Sequence, residues 1–130
     1  MKILDANMIL RFLLRDNEEM ADTVCEILST GRVMVTTEVI AESVYVLEKV
    51  YKIERREIQN ALCSFLQIEN VTSPERRALM RGLQFYAEHK LDFVDCLLCG
   101  YRMEHGYEIC TFDKKLNRLL GQLEESAPES

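Results

Sequence analysis

The sequence is short of glycine and proline, the residues that most often interrupt helices and strands. Its 130 residues include 5 glycines and 2 prolines, which argues against an all-β or loop-rich design. Apolar residues make up 48% of the chain, enough for a domain of this length to bury a core. We therefore expect one folded domain over residues 1–120, followed by a polar and flexible C-terminal tail over residues 121–130.

The chain also lacks an excess of positive charge. It has 16 Lys and Arg residues against 22 Asp and Glu residues, which gives a net charge of −6. A protein that only coats nucleic acid is normally basic, so the charge argues against simple nucleic-acid binding. It argues less against a nuclease, because bound divalent cations largely cancel the charge of a carboxylate cluster.

Several signatures of common active sites are missing. His89 and His105 are isolated in the sequence, which argues against histidine catalysis. There is no glycine-rich phosphate loop and no Gly-x-Ser-x-Gly elbow. The five cysteines have apolar neighbours, which indicates reduced and buried thiols in a cytosolic protein. The pair Cys96 and Cys99 lies in an apolar helical run, without the second pair that a zinc site needs.

Long hydrophobic runs are absent as well. The first apolar stretch is interrupted by Asp5 and Arg11, so it does not have the form of a signal peptide. No run approaches the roughly 18 apolar residues that span a bilayer. We expect a soluble, cytoplasmic protein with no membrane partner.

The hydrophobic residues that are present predict strands that alternate with helices. Short apolar segments predict four strands, over residues 2–5, 32–36, 67–72 and 107–111. Apolar repeats at helical spacing predict helices over about 8–14, 37–51, 54–67, 91–103 and 114–120, with two more that start near Asp16 and Ser73. This alternation predicts an α/β fold. We expect a three-layer α/β/α sandwich around a mostly parallel sheet of four or five strands.

Four acidic residues fall at one edge of this predicted sheet. Asp5 ends the first strand and Asp113 follows the fourth, where sites form in open parallel sheets. Glu42 and Asp95 lie near the starts of helices that begin at the same edge. Each acid alone could be an ordinary surface residue. Together they would repel one another, whereas a hard divalent cation prefers carboxylate oxygens, so the pattern predicts a Mg²⁺ or Mn²⁺ site.

Four segments also resemble a known family when they are taken together. They are Ile3–Asn7, Glu38–Leu47, Asp92–Leu98 and Thr111–Leu116. In this order and spacing they resemble the PIN domain, in the short prokaryotic form found as the toxin of VapBC-type toxin–antitoxin pairs. The resemblance runs from Met1 to about Leu120 and implies a PIN-like α/β fold.

The resemblance implies that Asp5, Glu42, Asp95 and Asp113 are the catalytic residues and the ligands of Mg²⁺ or Mn²⁺. Family members often have Thr or Ser where this chain has Ala6, so one polar contact near the metal is expected to be missing. The family usually ends with a further strand, but residues 121–130 contain no β-rich run. The sheet is then expected to have four strands, or to take an edge strand from a partner.

Other residues are candidates for supporting roles. Asn7 and Thr111 match family positions near the acids, although Asn7 also suits a turn and Thr111 an ordinary strand. Asp92 lies on the same helical face as Asp95 and either caps the helix or assists the metal.

Three cations are candidates for contacts with substrate phosphates, because they follow the acids in sequence. They are Arg11, Arg15 and Lys114, and each also suits a solvated surface.

The family resemblance implies a metal-dependent endoribonuclease that hydrolyses RNA phosphodiesters, the toxin of a toxin–antitoxin pair. The implied partners are an RNA substrate, a small antitoxin protein and a second copy of the chain, since surplus apolar positions such as Tyr45 and Val50 also favour a homodimer. One alternative is a catalytically weak PIN-like module that binds RNA or protein, which Ala6 and the acidic pI favour slightly. Another alternative is a phosphatase that acts on small phosphate esters. Such an enzyme usually needs a second Asp two residues after the first, and this chain has Asn7 at that position, which argues against it.

Overall fold

The computed structural model describes residues 1–126, with side chains as far as Glu124. The chain divides into two compact units, Met1–Arg76 and the part from Arg77 onward. The first unit contains β1 (Lys2–Ile3), α1 (Ala6–Leu14), α2 (Glu18–Thr30), β2 (Val33–Met34), α3 (Thr37–Lys49), α4 (Arg55–Leu66) and β3 (Val71–Thr72). The second is built from α5 (Arg76–Glu88), α6 (Phe93–His105) and α7 (Lys114–Ser126).

The first unit holds a parallel sheet of three short strands in the order β1-β2-β3. Lys2 lies opposite Val33, and Val33 lies opposite Val71. Pairing continues past β1, since the Leu4 N–H donates to the Met34 carbonyl at 3.1 Å. Two helices connect β1 to β2 and two more connect β2 to β3. The predicted α/β alternation and parallel sheet are therefore confirmed.

Buried apolar side chains from the strands and all four helices form the core of the first unit. They include Val33, Val71, Ile9, Val24, Ile40, Ile58, Leu62 and Phe65. The ring of Phe12 on α1 meets that of Phe65 on α4 edge-on, with 5.6 Å between centroids. The apolar spacing that predicted these helices is thus the spacing of their buried faces.

The predicted fourth strand over residues 107–111 is wrong. Residues 106–113 are neither helix nor strand. Tyr107 and Cys110 are exposed, and the ring of Tyr107 stacks on that of His105 at 4.9 Å. A strand requires a partner for its backbone ladder, and within residues 1–126 the segment has none. The described sheet therefore has three strands, and a sheet of four or five is not confirmed.

The last helix is longer than predicted. It continues from Leu120 to Ser126, which contradicts a flexible tail that starts at Gly121. The reason is a leucine repeat at helical spacing: Leu116, Leu119 and Leu120 are buried with Cys99, and Leu123 packs against them. Residues 127–130 of the predicted tail lie outside the described residues, and the single domain over residues 1–120 remains a prediction.

Two local predictions need correction. The helix α2 is capped by Asn17, whose side chain accepts from the Met20 N–H at 3.0 Å, and not by Asp16. Both residue types cap helices well, so the sequence could not decide between them. The cysteines are all free thiols, but of the five only Cys96 and Cys99 are buried. Cys25 and Cys63 are partly buried, and Cys110 is exposed. Among the helices of residues 1–126, none combines the length and apolar content of a membrane span.

Candidate metal centre

Asp5 lies just beyond β1, as predicted, and begins α1. It is exposed, and its Oδ1 atom accepts a hydrogen bond from the Met8 N–H at 2.9 Å. A carboxylate at this position also benefits from the positive end of the helix dipole. Among the residues described, Oδ2 has no hydrogen-bond partner. One oxygen therefore fixes the carboxylate and the other is available to a cation.

Asp113 has the same arrangement at the start of α7. Its Oδ1 atom accepts from the Leu116 N–H at 2.8 Å, and its own N–H donates to Thr111 Oγ1 at 3.0 Å. The Thr111 carbonyl accepts from the Asn117 side chain at 2.9 Å. Thr111 thus positions Asp113. The acid lies at a helix start, although the strand predicted before it is absent.

Asp95 lies in the first turn of α6, as predicted, and is half-buried. Its pKa is raised, first by burial and then by the charges of Asp113 and Asp92. Asp92 occupies the N-cap position of α6, but its side chain makes no capping hydrogen bond. The capping role favoured for Asp92 is therefore not supported. In the second unit the charges of Asp113 and Asp92 therefore both act on Asp95.

Glu42 lies in the second turn of α3, where it was predicted, and its side chain is exposed. The neighbouring Ser43 is buried and donates to the Val39 carbonyl of the same helix at 2.8 Å, and the buried side chains of Ile40, Val44 and Leu47 hold the helix in place. Glu38 is a helix-start acid whose pKa is lowered by the hydroxyls of Thr37 and Thr36. Glu42 therefore points to solvent from a well-anchored helix.

The four predicted ligands are divided between the units. Asp5 and Glu42 belong to the first, and Asp95 and Asp113 belong to the second. Within residues 1–126, no three His, Cys, Asp or Glu side chains form a group that could hold a metal ion. The convergence of all four acids therefore stays a prediction.

The predicted phosphate contacts have unequal surroundings. Arg11 and Asn7 line a cleft of about 180 Å³ with Asp5. Arg11 is already engaged, because it binds Asp16 at 2.6 Å and the Tyr51 hydroxyl at 2.9 Å, and the Tyr51 bond is the main cause of its raised pKa. This pairing argues against a free phosphate contact. Sequence reasoning missed it, because Tyr51 is 40 residues away.

The other two cations are exposed. Arg15 lies at the end of α1, 3.5 Å from Cys25 Sγ, with its guanidinium 5.5 Å from the Phe12 ring centre. Lys114 is the first residue of α7 and faces solvent. Both stay predictions as substrate contacts.

The donor chemistry around Asp95 suits a hard cation. Asp92, Asp95 and Asp113 offer carboxylate oxygens, which Mg²⁺ and Mn²⁺ prefer. Burial, and then the charge of Asp95, raise the pKa of the Cys99 thiol to about 11. Because a thiol binds metal as the thiolate, Cys99 does not compete as a ligand at neutral pH. The types of donor present therefore suit Mg²⁺ or Mn²⁺, although within residues 1–126 they do not form a group that could hold the ion.

Comparisons with known proteins identify the family of the chain. The PIN domain model matches residues 2–121. The chain is 30% identical over 125 residues to a VapC ribonuclease of Aquifex aeolicus (strain VF5), with 92% of each chain covered. No solved structure gives a significant match. Because the family model covers nearly the whole sequence, the protein belongs to the PIN domain family.

Proposed function

We propose that the protein is a metal-dependent endoribonuclease that hydrolyses RNA phosphodiesters. The observation that carries the proposal is the crowding of carboxylates around Asp95, where Asp113 and Asp92 raise its pKa. No cationic side chain contributes to that shift, so the repulsion is unbalanced within the protein. A bound divalent cation would make the arrangement favourable.

Asp5, Glu42, Asp95 and Asp113 would hold Mg²⁺ or Mn²⁺, with Asn7 and Asp92 as supporting groups. Bound there, the ion would supply Lewis-acid stabilisation of the charge that develops on the phosphate, and a more acidic water. The helix-start bonds of Asp5 and Asp113 keep both carboxylates oriented. Preorganisation of this kind reduces the cost of reorienting groups during the reaction.

The proton chemistry would also rest on carboxylates. His89 follows the end of α5 and His105 is the last residue of α6. The ring of His105 stacks on those of Tyr101 and Tyr107. A carboxylate of the quartet would therefore orient the attacking water and accept its hydrogen bond. Thr111 contributes indirectly, because its hydroxyl fixes the backbone of Asp113.

Relatedness to a VapC ribonuclease supports a finer proposal. We infer that the chain is the toxin of a VapBC-type pair and that a small antitoxin protein restrains it. We also infer a homodimer, since Tyr45 and Val50 expose 64% and 63% of their surface on and just after α3. Large exposed apolar side chains can contribute to an interaction surface.

Cleavage of a mixed-sequence RNA, measured with Mn²⁺, with Mg²⁺ and with excess chelator, tests the proposal. We expect cleavage with the metals, none with chelator, and a loss of at least about 100-fold in Asp5→Asn, on the scale of one lost electrostatic group. Asp22→Asn is the matched control, because Asp22 is an exposed acid on α2. It should keep full activity.

Activity that survives both chelation and the Asp5→Asn substitution would contradict the metal-dependent mechanism. Calorimetric titration with Mn²⁺ separates the remaining alternative. If the protein binds no metal at millimolar concentration, then a catalytically weak binding module explains the fold better than a nuclease does.

A further inference from the structure

The second unit contains a cleft that the proposed metal site does not use. It lies between the connection from α5 to α6 and α7, with a volume of about 230 Å³. The cations Lys90, Lys115 and Arg118 line it together with the apolar Leu91 and Leu119, and His89 and Gln122 complete the lining. The cleft therefore combines a cationic rim with an apolar floor.

These cations are free to bind an anion. Lys90, Lys115 and Arg118 are exposed, and in the part of the chain that is described none of them forms a salt bridge. Elsewhere in the same unit a cation is paired, as Arg81 is with Glu104 at 2.6 Å. Lys115 and Arg118 are three residues apart on one face of α7. In a chain of net charge −6, three unpaired cations around one cleft indicate an anionic ligand.

The floor of the cleft is rigid. Leu119 is buried in the cluster that also contains Leu116, Leu120 and Cys99, and Leu91 packs against that cluster. A packed apolar floor suits the flat face of a sugar or base, while cations at the rim suit phosphates.

Two residues that line the cleft are also close in sequence to proposed metal ligands. Lys90 precedes Asp92 by two residues, and Lys115 follows Asp113 by two. Asp92 and Asp113 are the two carboxylates that raise the pKa of Asp95. A chain of phosphates that lies in the cleft would therefore continue toward those acids, which an isolated small anion would not do.

We propose that this cleft binds backbone phosphates of single-stranded RNA beside the scissile bond. This inference rests on the proposed ribonuclease function and adds a binding site to it. Lys90, Lys115 and Arg118 act as positioning residues, because they hold the strand and do not touch the reacting atoms. Recognition through phosphates is independent of base sequence, so the cleft contributes affinity rather than sequence choice.

Binding of a fluorescein-labelled 12-nucleotide polyuridine, measured by anisotropy in chelator at several NaCl concentrations, tests the cleft. The full chain is compared with the triple variant Lys90→Gln, Lys115→Gln, Arg118→Gln. The control triple variant is Arg32→Gln, Arg56→Gln, Arg77→Gln, which changes exposed cations outside the cleft and gives the same net charge. The slope of log K against log salt concentration becomes steeper by about 0.7 for each phosphate contact on a single strand. The cleft variant loses three such contacts, so its slope should be shallower by about 2.

We expect the cleft variant to bind at least about 10-fold more weakly than the control at moderate salt. With Mn²⁺ present, its KM should rise while kcat stays close to that of the full wild-type chain. A loss of kcat at unchanged KM would contradict a positioning role.

Equal weakening in both triple variants, or wild-type protein that does not bind the RNA, overturns the inference. Neither result bears on metal-dependent cleavage, which the cleavage assay tests separately. Polyglutamate that displaces the RNA at equal charge concentration would also overturn it, because the cleft would then favour an acidic protein segment.

Discussion

At the scale of single residues, Asp5 and Asp113 each combine a structural role with a proposed chemical one. One oxygen of each accepts a backbone N–H at the start of a helix, and the second is left for a cation. Asn caps a helix about as well as Asp does. Substitution by Asn therefore removes the charge and keeps the cap, which separates the two roles experimentally.

Replacement of Asp113 should show this separation. We expect Asp113→Asn to fold with a change in unfolding free energy below about 0.5 kcal/mol and to lose at least about 100-fold in RNA cleavage. Asp113→Ala should lose the same activity and a further 1 kcal/mol or so of stability, because it also removes the bond to Leu116. Urea denaturation and a cleavage assay measure the two effects. An active Asp113→Asn protein would contradict the metal-binding role.

Asp95 makes stability depend on pH in the opposite sense to a salt-bridged acid. Burial, Asp113 and Asp92 raise its pKa, so folding favours its protonated form. The stabilisation is complete below the unfolded-state pKa of about 3.9 and is lost as the pH rises through the folded-state value. At pH 7 the ionised carboxylate therefore destabilises the metal-free protein.

Asp95→Asn should accordingly raise the melting temperature in chelator at pH 7 by about 1–3 °C. The gain should shrink toward zero as the pH falls below about 4, where Asp95 is protonated in both states. Asp22→Asn is the control and should show little change at either pH. Thermal unfolding followed by circular dichroism measures both variants, and a gain that does not vary with pH would refute the assignment.

At the scale of elements, α5 and α6 approach closely because glycines face each other across their contact. A Cβ atom at Gly82 would lie 3.0 Å from the Leu97 Cα atom. One at Gly100 would overlap the Ala78 carbonyl oxygen. Backbone atoms cannot move aside as the end of a flexible side chain can. The short distance between these helices therefore requires glycine.

Gly100→Ala should for that reason destabilise the protein by about 3 kcal/mol, at the upper end of overpacking effects. The control is Gly121→Ala in α7, where a Cβ atom would meet nothing within 4 Å. There alanine should stabilise by up to about 1 kcal/mol through its helix propensity. Urea denaturation compares the two, and a Gly100→Ala protein as stable as wild type would show that the helices can separate at little cost.

The sequence predicted elements well where local spacing decides them. The apolar repeats gave α3, α4 and α6 to within a few residues, because a buried helical face is a local property. The prediction of a strand over residues 107–111 was wrong, because a strand needs a pairing partner and the sequence of the segment alone does not show whether one is present. The bond between Arg11 and Tyr51 was invisible for the same reason.

The candidate site was predicted in the same uneven way. Asp5, Glu42 and Asp95 lie at the helix and strand ends where topology placed them. Asp113 was placed correctly for a partly wrong reason, since it follows an irregular segment and caps α7. A meeting of the four acids at one point would be a long-range property, which the local pattern cannot establish.

At the scale of the whole molecule, α3 presents apolar surface that the described part of the chain leaves exposed. Tyr45 and Val50 are exposed on and just after this helix, although Ile40, Val44 and Leu47 on its other face are buried. Tyrosine is enriched in the centres of protein interfaces. The pattern indicates a helix that is packed on both sides in the working protein, and a second copy of the chain is the proposed partner.

Size-exclusion chromatography with light scattering should therefore give a mass about twice the 15.1 kDa of one chain. Tyr45→Asp should shift the protein to monomer at about 10 µM, because loss of a central aromatic costs about 2 kcal/mol or more, which is over 10-fold in the dissociation constant. Tyr107→Asp is the matched control, since Tyr107 exposes 59% of its surface in the second unit. It should remain dimeric. A monomeric wild type, or equal dissociation in both variants, would mean that the exposed face of α3 serves another partner, and the antitoxin would then be the first to test.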